Sequence, residues 1–258
     1  MLKVLFTGCR GGIGLQAAEK LLKAGHFVYV TVHKEESIPE VKKKLENYAS
    51  NSLVEKLDIT VSEDRDKLKE WDLDVLVNNA AIGDSGPLAE IDVKRINKVF
   101  ETNVISTIEV TQVALKKMIP NKKGRIIFMG SMAGLLPTPF LAPYGMSKFT
   151  LESVVFSLRT ELKPFSIPVV IINPGSYKTG FNLTNINKKY EWFKEDGYYK
   201  DHISAIKKAE MQILGLEVTD LNSISDKVVE AVTDKHPKRR YEAPWWQWMF
   251  VPIGRRLM

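Results

Sequence analysis

The chain contains a single cysteine, Cys9, so no internal disulfide bond can form. It has no run of about 20 apolar residues, which argues against a membrane-spanning helix. It opens directly on an apolar segment, residues 2–6, without the charged region and longer apolar core of a signal peptide. We therefore expect a cytoplasmic protein in a reducing compartment.

Basic residues outnumber acidic ones, which gives a formal net charge of +6. The densest basic clusters, residues 42–44 and 238–240, lack the interleaved aromatics of nucleic-acid-binding motifs, so we expect no nucleic-acid partner. We also assign no metal site. The 258 residues are enough for one large α/β domain with a substantial core. We interpret 1–258 as a single domain, with an insertion at 181–217 and an aromatic C-terminal extension at 242–258.

Short apolar runs alternate with segments of helical periodicity. Because the runs are mostly continuous, they indicate strands covered on both faces, as in a parallel sheet of βαβ units. The predicted strands are 2–6, 27–32, 53–57, 75–77, 125–129 and 168–172. The predicted helices are 13–23, 39–48, 64–69, 93–118 and 144–162.

A glycine-rich stretch, residues 7–14, lies between the first strand and the first helix. Glycines permit a tight turn and let backbone N–H groups approach a pyrophosphate, while the helix N-terminus adds partial positive charge. At this place in the chain the stretch predicts a dinucleotide site.

The end of the second predicted strand lacks the acidic residue that often binds a ribose diol. His33 and Lys34 stand there instead, and Arg10 lies inside the glycine stretch. These cations favour a 2′-phosphate, and thus NADP(H) over NAD(H), although His33 and Lys34 could equally be an exposed strand end. Asp58 could accept a hydrogen bond from adenine or could be the N-cap of a short helix.

Tyr144 and Lys148 stand four residues apart at the start of a predicted helix, and so lie on one face. A neighbouring ammonium group is expected to lower the pKa of the phenol from about 10. Such a tyrosine could exchange a proton with an alcohol or carbonyl oxygen.

Together these residues resemble the short-chain dehydrogenase/reductase family over roughly residues 2–180. The glycine motif T-G-x-x-x-G-x-G is matched by residues 7–14, and N-N-A-G is matched at 78–80 but departs at Ala81. Further matches are Asn103 in a T-N pair, Ser131 after the fifth strand, Y-x-x-x-K at Tyr144 and Lys148, and P-G-x-x-x-T at 174–179.

The resemblance implies a Rossmann-type doubly wound α/β/α sandwich of about seven parallel strands. It implies that Tyr144 exchanges the proton, Lys148 lowers its pKa and holds the nicotinamide ribose, Ser131 binds the substrate oxygen, and Asn103 holds a water. The cofactor-binding residues would be Thr7, Gly8, Arg10, Gly12, Ile13, Gly14, His33, Lys34, Asp58, Asn79, Ala80, Tyr144, Lys148, Pro174, Gly175 and Thr179. Each has a purely structural alternative: Ser131 a turn cap, Asn103 a partner for buried backbone, Thr179 a helix N-cap.

A finer resemblance is to the branch of retinol and 17β-hydroxysteroid dehydrogenases and bacterial aldehyde reductases. It implies a lipophilic alcohol, aldehyde or ketone as substrate. An arginine often stands in this branch where His33 stands here. Many relatives are homodimers or homotetramers built on the long helices after strands four and five.

Apolar residues between Ser131 and Tyr144 could line a substrate pocket or belong to the core or a subunit contact. They are Leu135, Leu136, Pro137, Phe140 and Leu141. The aromatic insertion, with Tyr190, Trp192, Phe193, Tyr198 and Tyr199, could form a lid. The aromatic tail, with two arginines near its end, could be a peripheral membrane anchor, a subunit interface or a segment that closes the cleft.

Our main hypothesis is an oxidoreductase that transfers a hydride between NADP(H) and a lipophilic alcohol or carbonyl compound. The alternative is a catalytically silent dinucleotide-sensing or scaffold protein of the same fold.

Overall fold

In the computed structural model, which describes residues 1–190 and 197–256, seven strands form one parallel sheet in the order β3-β2-β1-β4-β5-β6-β7. The strands are β1 (Lys3–Phe6), β2 (Phe27–Val32), β3 (Ser52–Lys56), β4 (Val75–Asn78), β5 (Arg125–Met129), β6 (Val169–Pro174) and β7 (Arg240–Ala243). The predicted residues Trp192, Phe193 and Met258 lie outside the described ranges, as does the side chain of Tyr190.

Helices connect the strands and cover both faces of the sheet. They are α1 (Gly12–Lys23), α2 (Ile38–Lys44), α3 (Ser62–Asp66), α4 (Val93–Phe100), α5 (Ser106–Asn121), α6 (Ala142–Glu161), α7 (Phe181–Tyr190), α8 (Ile203–Leu214), α9 (Asn222–Thr233), α10 (Trp245–Trp248) and α11 (Val251–Arg256). Among the residues described, no helix combines the length and apolar character needed to cross a bilayer.

Successive residues of a strand pack in two separate hydrophobic cores, one on each face of the sheet. Val4 and Phe6 of β1 pack in a core with residues of α1 and α9. Leu5, between them, packs in the opposite core with residues of α5 and α6. This division follows from the two-residue period of a strand, and it confirms the predicted three-layer α/β/α sandwich.

The six predicted strands are all present, and β2 and β5 have the predicted ends. The seventh strand, β7, was not located from the sequence, because only two buried residues, Tyr241 and Ala243, alternate with exposed Glu242. It pairs in parallel with β6. The first two residues of the predicted C-terminal extension, 242 and 243, belong to this strand.

Three predicted helices are divided in the structure. The stretch 64–69 belongs to α3, which ends at Asp66, and to a 3₁₀ turn at Lys67–Lys69. The stretch 93–118 divides into α4 and α5, joined by a π-helical turn at Glu101–Ile105. The stretch 39–48 ends as an α-helix at Lys44 and is followed by a short 3₁₀ turn, Glu46–Tyr48. The π-helical turn at Glu101–Ile105 is wider than an α-helical turn, and single π-helical turns are frequent at functional sites.

The loops that carry the predicted site residues all lie at the carboxyl edge of the sheet, because all seven strands are parallel. The strand order reverses direction at β1, which has β2 on one side and β4 on the other. Ligands of open α/β sheets bind in the crevice at such a switch point. The loops after β1 and β4 are therefore expected to border a ligand site.

Candidate active site

The loop after β1 is held tightly against the loop after β4. Gly8 has a φ of +69°, and a Cβ atom there would lie 2.7 Å from Ala80 Cα. A Cβ atom on Gly14 would lie 2.6 Å from Asn79 Nδ2. Gly8 therefore adopts a left-handed conformation and also lies close to the Ala80 backbone, and only glycine satisfies both requirements.

Thr7 and Asn79 connect the same two loops by hydrogen bonds. The backbone N–H groups of Asn79 and Ala80 donate to Thr7 Oγ1 at 3.0 and 2.9 Å. In return, Asn79 Nδ2 donates to the carbonyl oxygens of Thr7 and Gly8, both at 2.9 Å. Thr7 is 2% exposed, so these bonds are shielded from water. The side chains of Thr7 and Asn79 thus shape the loop.

The N-terminus of α1 has the open, uncapped backbone that a pyrophosphate needs. Its N-cap residue, Gly11, provides no side-chain cap, and a Cβ atom there would meet nothing within 4 Å. Gly12 has a φ of +62°, and a Cβ atom there would lie 3.4 Å from the side chain of Thr179. Ile13 packs partly buried against the core. Uncapped N–H groups beside open space form the kind of site that binds phosphate.

The predicted adenosine end brings His33 and Asp58 together. His33 Nδ1 lies 3.2 Å from Asp58 Oδ2. The other Asp58 oxygen accepts from the Thr60 N–H at 3.0 Å and from the Thr60 hydroxyl at 2.7 Å. Helix α3 begins at Ser62 with Val61 as its N-cap, so the alternative of Asp58 as a helix N-cap is wrong.

The two other predicted cations at this end are on the surface. Arg10 Nε lies 3.3 Å from Glu40 Oε2, and Glu40 also pairs with Lys44 at 2.7 Å. Lys34 is exposed and precedes a short 3₁₀ turn. Both cations follow the carboxyl ends of neighbouring strands, where a ribose phosphate would lie.

Asn103 lies in the π-helical turn and is 1% exposed. Its Oδ1 accepts from the Ile82 N–H at 2.9 Å, and its Nδ2 donates to the Ile82 carbonyl at 2.8 Å and to Ser147 Oγ at 3.0 Å. The Ser147 hydroxyl donates in turn to the Tyr144 carbonyl oxygen at 2.7 Å. Asn103 therefore ties the loop after β4 to the first turns of α6.

Tyr144 and Lys148 lie on one face of α6, beside Ser131 at the end of β5. Lys148 Nζ is 5.6 Å from the centroid of the Tyr144 ring and donates to the Met129 carbonyl oxygen at 2.7 Å. The Ser131 hydroxyl is near enough to that of Tyr144 to lower the pKa of the phenol. The Ser131 hydroxyl oxygen also accepts from the Ala133 N–H at 3.1 Å. The three residues predicted to share one site are thus brought together.

The electrostatics of the pair differ from the expectation. Burial raises the pKa of Tyr144 to about 12, against a weaker opposing effect of the nearby Ser131 hydroxyl. Burial lowers the pKa of Lys148 to about 8. The expected lowering of the phenol pKa by Lys148 is therefore not seen, because the partial burial of Tyr144 and the nearly complete burial of Lys148 outweigh their proximity.

The loop after β6 carries the remaining predicted residues. Pro174 ends β6, and the Gly175 N–H donates to the Ala243 carbonyl at 2.8 Å. Thr179 lies against Gly12 and accepts weakly from the Phe181 N–H at 3.4 Å. Because α7 begins at Phe181, Thr179 is two residues before the helix and is not its N-cap.

The sequence did not single out Ser147, Asn182, Asn185 or Gln247, all of which join parts of this site. The ring of Phe181 lies 5.3 Å from that of Tyr144, which places the start of α7 over the tyrosine. Ser85 Oγ donates to the Asn185 carbonyl oxygen, and Asn185 is 3% exposed. No local sequence pattern marks these contacts.

The chain matches known proteins at the level of family and fold. Residues 3–190 match the model of the short chain dehydrogenase family. An NADPH-dependent 3-dehydrocapnine reductase from Ornithobacterium rhinotracheale is 30% identical over 252 residues, covering 93% of this chain and 87% of the relative. A 3-ketodihydrosphingosine reductase from Bacteroides thetaiotaomicron is 30% identical over 196 residues, covering 72% of this chain and 71% of that protein.

A short-chain dehydrogenase from Streptomyces avermitilis superposes with a TM-score of 0.81 at 22% identity, over 99% of this chain and 93% of that one. This similarity shows the shared fold. The chain belongs to the short-chain dehydrogenase/reductase family, whose members are oxidoreductases that act on alcohol or carbonyl groups with NAD(P).

Proposed function

We propose that this protein is an NADP(H)-dependent reductase of a lipophilic ketone or aldehyde, with Tyr144 as the proton donor. The observation that carries the proposal is the grouping of Tyr144, Ser131 and Lys148 at the carboxyl edge of the sheet, beside a glycine loop that fits a pyrophosphate. Bound in that crevice, the nicotinamide supplies the hydride. The chain's own residues supply orientation and the proton.

Tyr144 is suited to give up a proton rather than to take one. With a pKa of about 12 the phenol is fully protonated near neutrality. A developing alkoxide is a strong enough base to accept that proton, and the Ser131 hydroxyl can donate a hydrogen bond to the same oxygen. The positive charge of Lys148, 5.6 Å from the ring centroid, stabilises the phenolate that forms. In this protonation state Tyr144 can act as the acid of a reduction.

Asn103 takes part through other groups. Its amide is engaged by the Ile82 backbone and by Ser147, which holds the carbonyl of Tyr144. We assign it the role of fixing the start of α6 relative to the cofactor crevice. A water held by Asn103, as in the family resemblance, stays a prediction.

Apolar surroundings of Tyr144 support a lipophilic substrate. Phe181 packs beside its ring, and Phe140 meets Tyr199 edge to face at 5.5 Å. Leu135, Leu136 and Leu141 are partly buried in the same connection between β5 and α6. A pocket of this kind binds apolar groups and leaves one polar contact for the reacting oxygen. The named relatives include two reductases, one with a keto group in its substrate's name.

The proposed preference for NADP(H) depends on Arg10 and Lys34. The relative named as NADPH-dependent supports it. Removal of both cations, in Arg10→Ala with Lys34→Ala, should raise the KM for NADPH by about tenfold and leave that for NADH nearly unchanged, because only NADPH carries the 2′-phosphate. Lys42→Ala, an exposed lysine away from the crevice, is the matched control. An equal change for both nucleotides would contradict the preference.

The function is tested by a panel of sterols, retinoids, fatty aldehydes and small ketones, with NADPH and NADH in parallel. We expect NADPH oxidation with at least one apolar carbonyl compound, and little with small polar ones. Tight NADPH binding with no turnover on any of them would favour the alternative, a silent dinucleotide sensor.

We also propose a homodimer or homotetramer. Its interface would use exposed apolar residues that follow β4 and β5. Ile105, Phe149 and Phe156 are 47%, 36% and 73% exposed. An aromatic ring in water on a long helix is a common element of a subunit interface. Light scattering after size exclusion should give a multiple of the 29.2 kDa chain, and Phe156→Glu should shift it towards the monomer.

Contact of the tail with a membrane surface is the weaker proposal on partners. Met249 and Phe250 are 55% and 56% exposed although the tail folds back onto the domain. Apolar side chains beside a base can enter the headgroup region of a bilayer. Co-sedimentation with anionic liposomes that is lost in Met249→Ser with Phe250→Ser would support it; equal sedimentation of both proteins would contradict it.

A further inference from the structure

The C-terminal tail folds back beneath the loop after β6. Helix α10 follows β7 directly, and Gln247 in it is only 4% exposed. Gln247 Oε1 accepts from the Ser176 N–H at 2.7 Å. Gln247 Nε2 donates to the Leu216 carbonyl oxygen at 3.1 Å and, more weakly, to the Ser176 carbonyl oxygen at 3.5 Å. One buried amide therefore joins the loop after β6 to the residues just after α8.

The loop is shaped to receive this side chain. A Cβ atom on Gly175 would lie 2.0 Å from Gln247 Oε1, so no other residue could stand there without displacing the amide. The Gly175 N–H is held by the Ala243 carbonyl at 2.8 Å. Residues 175–176 are thus held by β7 and α10 together.

Ser176 also anchors both ends of the described part of the insertion, residues 181–190 and 197–217, which we call the substrate lid and whose first residue, Phe181, packs beside the Tyr144 ring. At the start of the lid, Asn182 Nδ2 donates to Ser176 Oγ at 3.2 Å and to Glu217 Oε1 at 2.7 Å. Directly after its end, the Val218 N–H donates to the Ser176 carbonyl at 3.0 Å. Ser176 therefore holds the start of the lid through its side chain and the chain just after the lid through its backbone carbonyl.

We propose that Gln247 is a positioning residue, which sets the nicotinamide-binding loop at 174–176 and the end of the substrate lid through one side chain. This inference rests on the proposed function for the identity of the two ligands. The acceptor oxygen bonds the loop alone at 2.7 Å, whereas the donor nitrogen makes its shorter bond to the lid at 3.1 Å and only a long one to the loop at 3.5 Å. Variants that keep the acceptor and remove the donor therefore act mainly on the lid. When only the oxygen or only the nitrogen of a buried amide keeps its partner, the hydrogen bond of the other atom no longer contributes to stability.

The variants separate the two ends of the amide. Gln247→Met has nearly the same length and neither hydrogen bond. Gln247→Glu keeps an acceptor for the Ser176 N–H and, when ionised, has no donor for the Leu216 carbonyl. Trp245→Ala, in the same short helix, is the matched control because Trp245 is 74% exposed.

Three measurements are made on the full chain. They are the Kd for NADPH by fluorescence, the KM for the carbonyl substrate, and hydrogen–deuterium exchange of residues 174–182 and 214–218 without nucleotide. The exchange measurement needs neither cofactor nor activity. Failure of the wild-type protein to bind either nucleotide would contradict the proposed function, while the exchange data would still test Gln247.

In Gln247→Met we expect a rise of about tenfold in the Kd for NADPH, a rise in the substrate KM and faster exchange in both segments. In Gln247→Glu we expect the Kd to return to within about threefold of wild type while residues 214–218 still exchange fast. Trp245→Ala should match wild type throughout.

A folded Gln247→Met variant with wild-type Kd and exchange would overturn the proposal, as would equal effects in Trp245→Ala. A purely structural role would lower the melting temperature and leave the Kd, the KM and local exchange per folded molecule unchanged. If Gln247→Met fails to fold, wild-type exchange at 214–218 in Gln247→Glu would overturn the proposal by itself.

Discussion

The crevice that fits the cofactor and the lid over Tyr144 are built in different ways. The crevice is held by contacts between two loops that follow adjacent strands, as in the bonds of Thr7 with Asn79 and Ala80. The lid is held by contacts with distant side chains, such as Ser85 on the Asn185 carbonyl and Gln247 on the Leu216 carbonyl. One region is fixed by the sheet itself, whereas the other depends on single side chains, so substitutions should separate cofactor binding from substrate binding.

Lys148→Met should give the largest effect on turnover and an opposite effect on stability. Turnover should fall by about a thousandfold, since the charge that stabilises the phenolate is lost. Yet at pH 7 the variant should be more stable by about 1–3 kcal/mol, because a 3% exposed ammonium with a pKa of about 8 is costly to bury. Turnover assays and chemical denaturation measure the two quantities.

The control for this prediction is the pH dependence of stability. Because burial lowers the pKa of Lys148, the folded wild-type protein binds fewer protons than the unfolded chain between pH 8 and about 10.4. The wild-type protein should therefore gain stability as pH rises through this window, and its deficit relative to Lys148→Met should shrink. A deficit that stays constant would show that the buried charge is not its cause.

The rate of reduction should depend on the charge of Lys148. Below pH 8 the ammonium is charged and stabilises the phenolate of Tyr144; above pH 8 it is neutral. We expect kcat/KM for reduction to fall above pH 8 by as much as tenfold per pH unit. A profile that stays flat to pH 10 would contradict a role for this charge.

Gly8→Ala should disturb the cofactor crevice alone. The new Cβ atom would lie 2.7 Å from Ala80 Cα at a φ of +69°, so the loop must shift. We expect the Kd for the nucleotide to rise by about tenfold or more and the melting temperature to fall by several degrees. Gly25→Ala is the matched control, since Gly25 has a φ of +82° and open space around it. Equal effects on nucleotide binding would show that strain, and not the close approach, matters.

Gly83→Ala should disturb the lid alone, with a smaller effect. A Cβ atom on Gly83 would lie 1.7 Å from Asn185 Oδ1, so the side chain of Asn185 must move. We expect the substrate KM to rise by about fivefold, with the Kd for NADPH within twofold of wild type. Calorimetry of nucleotide binding and steady-state kinetics separate the two. A larger effect on NADPH than on substrate would break the comparison between the two regions.

The same contrast explains what could be predicted from the sequence. The glycine loop and the Tyr144–Lys148 pair are short local patterns, and the parallel strands place them at one edge of the sheet. Gln247 reaches Ser176 across 71 residues, and no local pattern marks such a contact. Asn103 was identified from the family motif, but its π-helical turn was not, because the stretch 93–118 has the periodicity of one continuous helix.

The pKa of Tyr144 could not be predicted from spacing for a related reason. Four residues on a helix fix the proximity of Lys148, but the loss of water around both groups depends on Phe181 and other residues that arrive from distant parts of the chain. Desolvation is a property of the assembled site.

The proposed reduction depends most directly on Tyr144, the proton donor beside a bound nucleotide. The most direct measurement is NADPH binding and single-turnover reduction in the same preparation of Tyr144→Phe. We predict a Kd for NADPH within about twofold of wild type and a loss of at least a thousandfold in the rate of reduction. A reduction rate within tenfold of wild type would contradict the central claim.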